Sequence, residues 1–421
     1  MYWSIVNRNT FQLKVSILLS ISILGLWRTS YAQGIGFLAG SYQAAVETAK
    51  RSNKPLFVEV YLTGCPHCAA LAPVLEEKKV GDYFNTHFVS YKMEANSEES
   101  KIMQQQKGIS YVEFPLFFFF DSSSGQLTHY AAPAEKPSRA EAIEEVLRHG
   151  KDATDPTKRV TSYPNRFAKG DRDLLFLVNY GKFAKMTKDN DRLWQINNEL
   201  GKIFTKPVDM ESPNGFYVLQ RLINDIENPM AAYFFKNIGK YKAKFPAKDV
   251  QETGESILYF TLYGRRANTL NVADVVKVRQ AFVQLGITQS VASTRTVLKE
   301  LEAYFRAKDT KGATERLNAH KKYGTLRFAD YSYLVRYFNE NASDVTYVPS
   351  LIIWANEGLK LVKPTERNTK EVADMYGELA TAYLKVNKKE DAKKALQSAI
   401  AVAKAAKIDG KAFNEKLSKI K

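Results

Sequence analysis

The sequence is poor in cysteine, with two in 421 residues, and this scarcity excludes a fold held together by several disulfides. Histidine is also scarce, with five in the chain. We find no glycine-rich phosphate-binding loop, no Ser/His/Asp arrangement with supporting motif context, and no cofactor signature. The sequence therefore predicts neither a cofactor nor a bound metal, and any chemistry has to come from its own side chains.

Long apolar runs are also missing, apart from one near the N-terminus. That run, Val15–Trp27, has 13 residues, fewer than the about 20 that span a bilayer. The small residues Ser30 and Ala32 follow it, as in a secretory signal peptide that is cleaved after Ala32. We predict that residues 1–32 are such a signal and that the mature protein is exported, to the periplasm. An uncleaved anchor is the alternative.

The charge balance is basic, with 61 Lys and Arg residues against 45 Asp and Glu residues and a formal net charge of +16. The basic residues are scattered along helical patterns, and no nucleic-acid-binding motif accompanies them. We therefore expect a solvated basic surface and no nucleic-acid partner.

Two regions with different periodicity follow the signal. Residues 33–150 alternate helical and strand patterns in the order α-β-α-β-α-β-β-α. Leu56–Leu62 and Pro115–Phe120 are apolar runs typical of strands that are covered on both faces. The polar residues 151–165 include two prolines and predict a linker. From 166 to 421 the periodicity is helical, which predicts an all-α domain.

The helical region contains a repeated pattern. Ala373–Ala406 forms a 34-residue unit that resembles the tetratricopeptide repeat, in which small residues let two antiparallel helices approach closely. A weaker copy has His320 where a small residue belongs. Because such units bury their faces against neighbours, we predict that 166–421 is a helical-repeat, TPR-like domain that binds a protein partner.

The two cysteines lie in one motif, Cys65-Pro66-His67-Cys68, between a predicted buried strand and a predicted helix. A C-x-x-C pair at a helix N-terminus suits redox chemistry, because the helix dipole and free backbone N–H groups stabilise the Cys65 thiolate and His67 can add positive charge. We interpret Cys65 as the nucleophile and Cys68 as the resolving thiol, which together form a redox-active disulfide. Half a zinc site, a purely structural disulfide and a relic scaffold are the alternatives.

The motif and its surroundings resemble the thioredoxin superfamily, and in particular the exported thioredoxin-like domains of bacterial disulfide-exchange proteins. The resemblance covers roughly residues 38–150. It implies an α/β thioredoxin-like fold, with a central mixed sheet flanked by helices. It also implies that Pro115 is a cis-proline facing the cysteines, and that Pro66, Phe114 and Pro115 belong to the substrate-binding surface.

The resemblance further implies that Glu59 is a buried acid that takes the proton of Cys68 as this thiol attacks. A strand acid that points at solvent is the alternative. We expect Lys92 to lie near Glu59. His129 and His149 are expected at the surface or half-buried, without a catalytic role.

Two departures from the family pattern affect the expected substrate groove: Gly64 stands where the family has Trp, and Phe114 is bulky. The Pro66-His67 dipeptide is that of strongly oxidising exported members. Those oxidants carry a helical insertion, for which the 46 residues between Cys68 and Pro115 leave no room. The direction of electron flow therefore stays undecided.

The sequence thus predicts an exported thiol–disulfide oxidoreductase that exchanges disulfides with client proteins and is maintained by a membrane redox partner. The alternative is a binding or assembly protein whose TPR-like domain is functional and whose thioredoxin-like domain is structural.

Overall fold

The computed structural model describes residues 34–324 and 326–420. The chain divides into two compact units between Arg192 and Leu193. The predicted signal peptide, residues 1–32, lies outside the described residues. Over the described ranges, no helix has both the length and the apolar character needed to cross a membrane.

The first unit contains a four-stranded sheet surrounded by helices. In chain order its elements are α1 (Tyr42–Ser52), β1 (Leu56–Tyr61), α2 (Pro66–Leu75), α3 (Lys78–His87), β2 (Val89–Glu94), α4 (Glu98–Lys107), β3 (Leu116–Phe120), β4 (Leu127–Ala131), α5 (Arg139–Thr154), α6 (Tyr163–Ala168) and α7 (Leu174–Met186). Two 3₁₀ turns, Pro156–Lys158 and Val160–Ser162, join α5 to α6. The unit therefore continues through the residues predicted as a linker, and it includes α6, which begins within them, and α7, which follows them.

The strand order is β2-β1-β3-β4. β1 and β2 are parallel, whereas β3 is antiparallel to both β1 and β4. The carboxyl ends of β1, β2 and β4 and the amino end of β3 therefore lie at one edge of the sheet. This mixed sheet with flanking helices confirms the predicted thioredoxin-like fold.

The two faces of the sheet are covered by different helices, because alternate side chains of a strand point to opposite faces. Phe57, Phe117 and Phe119 are buried against apolar residues of α2, α3 and α5. On the other face, the Tyr91 hydroxyl donates to Glu99 Oε2 of α4 at 2.6 Å, and the Tyr130 hydroxyl donates to a carbonyl of α7 at 2.6 Å. Helices on both faces explain why β1 and β3 consist of continuous apolar runs.

Each outer strand of the sheet also has a neighbouring segment on the side that no other strand of the sheet occupies. Phe37 forms an isolated parallel bridge with Ser90 of β2, and the Leu38 N–H donates to the Ser90 carbonyl at 2.9 Å. Beside β4, His129 Nδ1 lies 3.3 Å from the carbonyl oxygen of Lys158 in the turn after α5. Short chain segments therefore flank both outer strands, β2 and β4.

The chain between β1 and β2 differs from the sequence prediction of a single helix. Pro73 lies inside α2, where it lacks the N–H that would continue the hydrogen-bond ladder. Glu77 has extended backbone, with ψ of 133°, and precedes α3. The crossover consequently contains two helices.

The expected exposure of His129 and His149 is wrong, since both are buried. His129 points to the face of the sheet that α2, α3 and α5 cover, where its ring lies 5.8 Å from that of Phe119. His149 lies on the packed face of α5, with Nε2 3.1 Å from Glu145 Oε1. Burial lowers the pKa of His129 to about 4, which favours the neutral ring.

The second unit is helical throughout the part that the structure describes. After α8 (Asn190–Ile203), which spans the division, its helices are α9 (Pro207–Met210), α10 (Pro213–Arg221), α11 (Pro229–Lys236), α12 (Ile238–Lys244), α13 (Ala247–Tyr263), α14 (Val272–Gln284), α15 (Gln289–Arg306), α16 (Thr310–Lys321), α17 (Phe328–Asn341), α18 (Val348–Lys360), α19 (Lys370–Lys385), α20 (Lys389–Ala405) and α21 (Lys411–Ser418). The predicted all-α region is confirmed, while its relation to tetratricopeptide repeats stays a prediction.

Small residues at the predicted repeat positions are buried in the helical unit. Ala380, Ala392 and Ala399, on α19 and α20, are fully buried. In the weaker copy, His320 is buried as well, and its Nδ1 lies 2.8 Å from the Ser293 hydroxyl on α15. This hydrogen bond lets a polar ring occupy a position where a small residue was expected.

The aromatic core of the first unit gives a stability prediction. Phe57 is fully buried, and its ring centroid lies 4.8 to 5.1 Å from those of Phe84, Phe117 and Phe119. Phe57→Ala should therefore lower the free energy of unfolding by about 3–5 kcal/mol, measured by urea denaturation of the full chain. Ile102→Ala, at a half-exposed position of α4, is the control and should change it by less than about 0.5 kcal/mol. Equal effects of the two substitutions would contradict the assigned core.

Candidate active site

The predicted site residues lie at the sheet edge where four connections meet. The segment 62–65 leaves β1 at this edge, and 132–138 leaves β4 there. Leu116, the first residue of β3, pairs with Val60 near the end of β1. The register therefore places the Phe114-Pro115 dipeptide at the edge from which the cysteine motif departs.

Cys65 is the N-cap residue of α2, and Pro66 is its first helical residue. The Cys65 N–H donates to the Leu62 carbonyl at 3.1 Å, which folds the chain tightly between strand and helix. Gly64 has φ of 79°, in the left-handed region that favours glycine. This backbone explains why glycine can replace the family's bulkier residue at position 64.

The two thiols have opposite electrostatic environments, and both are free in this structure. Burial raises the pKa of the Cys65 thiol. Three hydrogen bonds lower this pKa by a larger amount, so the net shift is downward: they come from the backbone N–H and the thiol of Cys68 and from the backbone N–H of His67. Burial raises the pKa of Cys68 to about 11, and its hydrogen bond to Cys65 acts in the same direction. Cys65 is half-buried and Cys68 is 6% exposed. Cys65 is therefore the better nucleophile.

Glu59 is buried beneath the motif, on the face of β1 that carries Phe57. Its side chain is 1% exposed, and Lys92 Nζ lies 3.4 Å from Oε2, so the expected proximity of these two residues is present. That distance is long for a charged hydrogen bond, and neither carboxylate oxygen has a hydrogen-bond partner among the described residues. Burial raises the pKa of Glu59, although the positive charge of Lys92 opposes the shift. The alternative of a solvent-facing acid is wrong.

Glu59 also influences the resolving cysteine. Its negative charge contributes to the raised pKa of Cys68. A carboxyl group whose pKa is raised by burial is a better proton acceptor for a thiol than an ordinary one. Glu59 therefore lies close enough to Cys68 for its charge to affect this thiol.

His67 is exposed and contacts a residue that the sequence did not indicate. Its Nδ1 lies 3.1 Å from Glu135 Oε2, in the connection after β4. The imidazole therefore has a carboxylate beside it, which offsets the positive charge that a protonated ring would offer to Cys65. Glu135 is separated from His67 by 68 residues, so only the order of the strands reveals this pair.

Glu94, at the carboxyl end of β2, holds the segment that precedes Cys65. Its Oε1 accepts hydrogen bonds from the N–H and the hydroxyl of Thr63, each at 3.3 Å. Its Oε2 accepts from the Asn96 N–H at 2.6 Å. Partial burial raises the pKa of Glu94, but these hydrogen bonds outweigh that effect and lower it. No motif in the sequence singles out this acid.

The Phe114-Pro115 peptide bond is cis, as the family resemblance implied. The Phe114 ring lies 5.8 Å from the Tyr111 ring, in an edge-to-face arrangement. Pro66 is exposed at the start of α2. Across the described residues, no group of three or more His, Cys, Asp or Glu side chains could hold a metal ion.

Comparison with known proteins defines the class of this domain. A family model described as thioredoxin-like matches residues 37–122. The chain therefore contains a thioredoxin-like domain, which is followed by a helical region. No curated protein matches the chain.

Three solved structures are similar to the same part of the chain. A candidate disulphide isomerase from Bacteroides thetaiotaomicron has 29% identity, with 29% of this chain and 98% of that chain covered and a TM-score of 0.24. A disulphide isomerase from Xylella fastidiosa Temecula1 has 18% identity, with 27% and 95% covered and a TM-score of 0.23. A DsbH oxidoreductase has 17% identity, with 29% and 92% covered and a TM-score of 0.23.

The different thiol environments predict a stepwise pH profile of alkylation. Cys65 should react with iodoacetamide at a pH below the usual midpoint of about 8.5, because its thiolate is stabilised. Cys68 should stay unreactive until the pH approaches its value of about 11. Mass spectrometry of peptides after timed labelling of the reduced protein measures both profiles. A common midpoint near the ordinary thiol value would contradict the proposed environments.

The contact between His67 and Glu135 predicts opposite effects of two substitutions. His67→Ala removes a ring that carries positive charge when it is protonated, and Glu135→Gln removes a negative charge. Alkylation of Cys65 should become roughly two- to threefold slower in His67→Ala and faster by a similar factor in Glu135→Gln, as expected for exposed charges in water. Raising the salt concentration should shrink both effects. Slower alkylation in both variants would mean that the pair acts by holding the loop in place.

Proposed function

We propose that this protein is an exported thiol–disulfide oxidoreductase that exchanges disulfides with client proteins through Cys65 and Cys68. One observation carries the proposal: a half-buried thiol with a lowered pKa caps α2, beside a buried thiol with a pKa of about 11. That arrangement separates an attacking sulfur from a resolving one. Export rests on the predicted signal at residues 1–32, and the periplasm is the compartment that we propose.

The exchange proceeds in two displacement steps when the protein reduces a client. The Cys65 thiolate attacks one sulfur of the client disulfide, whose S–S bond breaks, and the other client sulfur leaves as a thiolate. Cys68 then loses its proton and attacks the sulfur of Cys65, which releases the second client sulfur and forms the Cys65–Cys68 disulfide. Two electrons pass from the protein to the client. The reverse sequence oxidises a client dithiol.

Glu59 supplies the acid–base step in this scheme. Cys68 is a poor nucleophile while it is protonated, and its pKa of about 11 keeps it so near neutral pH. Glu59 accepts the proton as Cys68 attacks, and returns it in the reverse reaction. Its nearly complete burial and raised pKa support this assignment.

The direction of net electron flow depends on a second thiol–disulfide couple that resets the pair. We propose a membrane redox partner in this role. If the reduced pair is strongly stabilised, the protein oxidises clients; if it is not, the protein reduces them.

A second candidate function is partner binding by the helical unit, with the thioredoxin-like domain as a structural element. Exposed aromatic rings favour it. Tyr259 and Tyr263 on α13 are half-exposed, with ring centroids 5.0 Å apart, and Tyr333 on α17 is half-exposed and stacks on Tyr337 at 5.7 Å. Aromatic residues are enriched at protein interfaces. Partner capture that survives replacement of both cysteines by serine would favour this candidate.

Cysteine substitutions test the exchange mechanism. Cys65→Ser should reduce the rate of insulin reduction to less than about a thousandth, because the attacking sulfur is gone. Cys68→Ser should accumulate mixed disulfides with insulin, since the resolving step is lost; non-reducing electrophoresis detects them. Full activity of the Cys65→Ser protein would refute the proposed function.

Glu59→Gln tests the proton step separately. It keeps the shape of the side chain but cannot accept the proton of Cys68, so resolution of a preformed mixed disulfide should slow by about a hundredfold at neutral pH. The first attack by Cys65 should change little. Glu144→Gln, on the exposed surface of α5, is the control. An unchanged resolution rate would remove Glu59 from the mechanism.

The reduction potential of the cysteine pair decides the direction. Equilibration of the mature protein with glutathione, followed by counting of free thiols, measures it. A value near −120 to −180 mV, as in oxidants and isomerases, would mean that the protein donates or shuffles disulfides, whereas one near about −270 mV would mean that it reduces clients.

A further inference from the structure

The segment before Pro115 is held by a helix outside the part of the chain that resembles thioredoxins. Residues 109–115 have no regular secondary structure. At one end of this segment, the Ser110 N–H donates to the carbonyl of Met186, the last residue of α7, at 2.8 Å. That carbonyl lies in the final turn of the helix, where no intrahelical donor is available to it.

An ion pair joins the other end of the segment to the same helix. Lys182 Nζ lies 2.6 Å from Glu113 Oε1, and the two side chains are only 12% and 13% exposed. Glu113 precedes Pro115 by two residues. A largely buried pair of charges keeps its geometry, because separating the partners would leave each charge poorly solvated.

Helix α7 is itself fixed to the sheet, so it can act as a rigid support. The Tyr130 hydroxyl of β4 donates to the Asn179 carbonyl at 2.6 Å, and the rings of Tyr130 and Phe183 lie 5.8 Å apart. Met186 and Leu177 are fully buried. The support is therefore independent of α2 and of both cysteines.

We propose that Lys182 and Glu113 are positioning residues that fix the backbone of residues 110–114 for pairing with an extended client segment. This inference rests on the proposed function, in which a polypeptide lies beside Phe114 and Pro115 while Cys65 attacks. A segment held at both ends loses little conformational freedom when a client binds, and this saving favours binding. The groups that set the pKa of the Cys65 thiol are Cys68 and His67, so we expect the intrinsic reactivity of Cys65 to be independent of the ion pair.

This arrangement distinguishes polypeptide disulfides from small ones. A client chain uses the backbone at residues 110–114, whereas hydroxyethyl disulfide has no peptide groups and needs only access to Cys65. Loss of the ion pair should therefore weaken the reaction with polypeptides selectively.

The test compares Lys182→Met, the double variant Glu113→Gln/Lys182→Met and the control Lys79→Met with the wild-type full chain. The double variant removes both charges of the pair, so it keeps the test valid if the single variant fails to fold. Lys79 forms an exposed ion pair with Glu144 of α5, away from the segment. Each reduced protein is mixed with excess insulin or with hydroxyethyl disulfide, and formation of the Cys65–Cys68 disulfide is followed by acid quenching and mass spectrometry.

We expect the half-saturating insulin concentration to rise about tenfold in both Lys182 variants, with a limiting rate within about twofold of wild type. The rate with hydroxyethyl disulfide and the reduction potential should stay unchanged, as should every parameter of Lys79→Met. Restoration of insulin binding by the charge-reversed pair Glu113→Lys/Lys182→Glu would support the role of the ion pair.

Two results would overturn the inference. A half-saturating insulin concentration in the double variant equal to that of wild type would show that the ion pair does not fix residues 110–114 for client binding. Equal slowing with both disulfides would show a general structural role. A wild-type protein that reacts with neither disulfide would instead refute the proposed function, and this inference with it.

Discussion

Strand β1 is hydrogen-bonded to β2 on one side and to β3 on the other, and helices cover both of its faces. A shift of one residue in this pairing would turn Glu59 away from α2 and place Val58 or Val60 beneath the cysteines, because side chains alternate along a strand. The same pairing sets Leu116 opposite Val60, and so brings Pro115 to the edge where Cys65 emerges. The positions of the acid, the thiols and the cis-proline thus all depend on one register.

Electrostatics at this edge follow from which groups reach water. Cys65 lies at the surface end of α2, where free backbone N–H groups stabilise a thiolate, while Cys68 and Glu59 lie in apolar surroundings that favour their neutral forms. Lys92 moderates the cost of burying Glu59 without a hydrogen bond to it. The junction between β1 and α2 therefore holds a thiol with a lowered pKa beside a thiol with a raised one. Such a difference separates an attacking sulfur from a resolving sulfur in thiol–disulfide exchange.

Local patterns were sufficient to predict the strands of the sheet, because these depend on periodicity within short stretches, whereas the burial of Glu59 was implied by the resemblance to the thioredoxin superfamily. Glu94, Glu135 and Lys182 were not predicted: each contacts the site only through the strand order or through a helix distant in sequence. The predicted exposure of His149 was wrong. A polar side chain is expected near the surface, but here the imidazole is buried on the packed face of α5 and has Glu145 as its partner. The second helix before β2 was missed because Pro73 and the extended Glu77 act together.

The short segments along the outer strands affect how the domain behaves among other chains. An outer strand with free N–H and C=O groups is a template on which extended polypeptides add and from which aggregates grow. The bridge from Phe37 to Ser90 occupies part of that template on β2, and the turn after α5 lies beside β4. An extended segment of another chain therefore finds both outer strands partly covered. Self-association of the domain through added strands is disfavoured as a result.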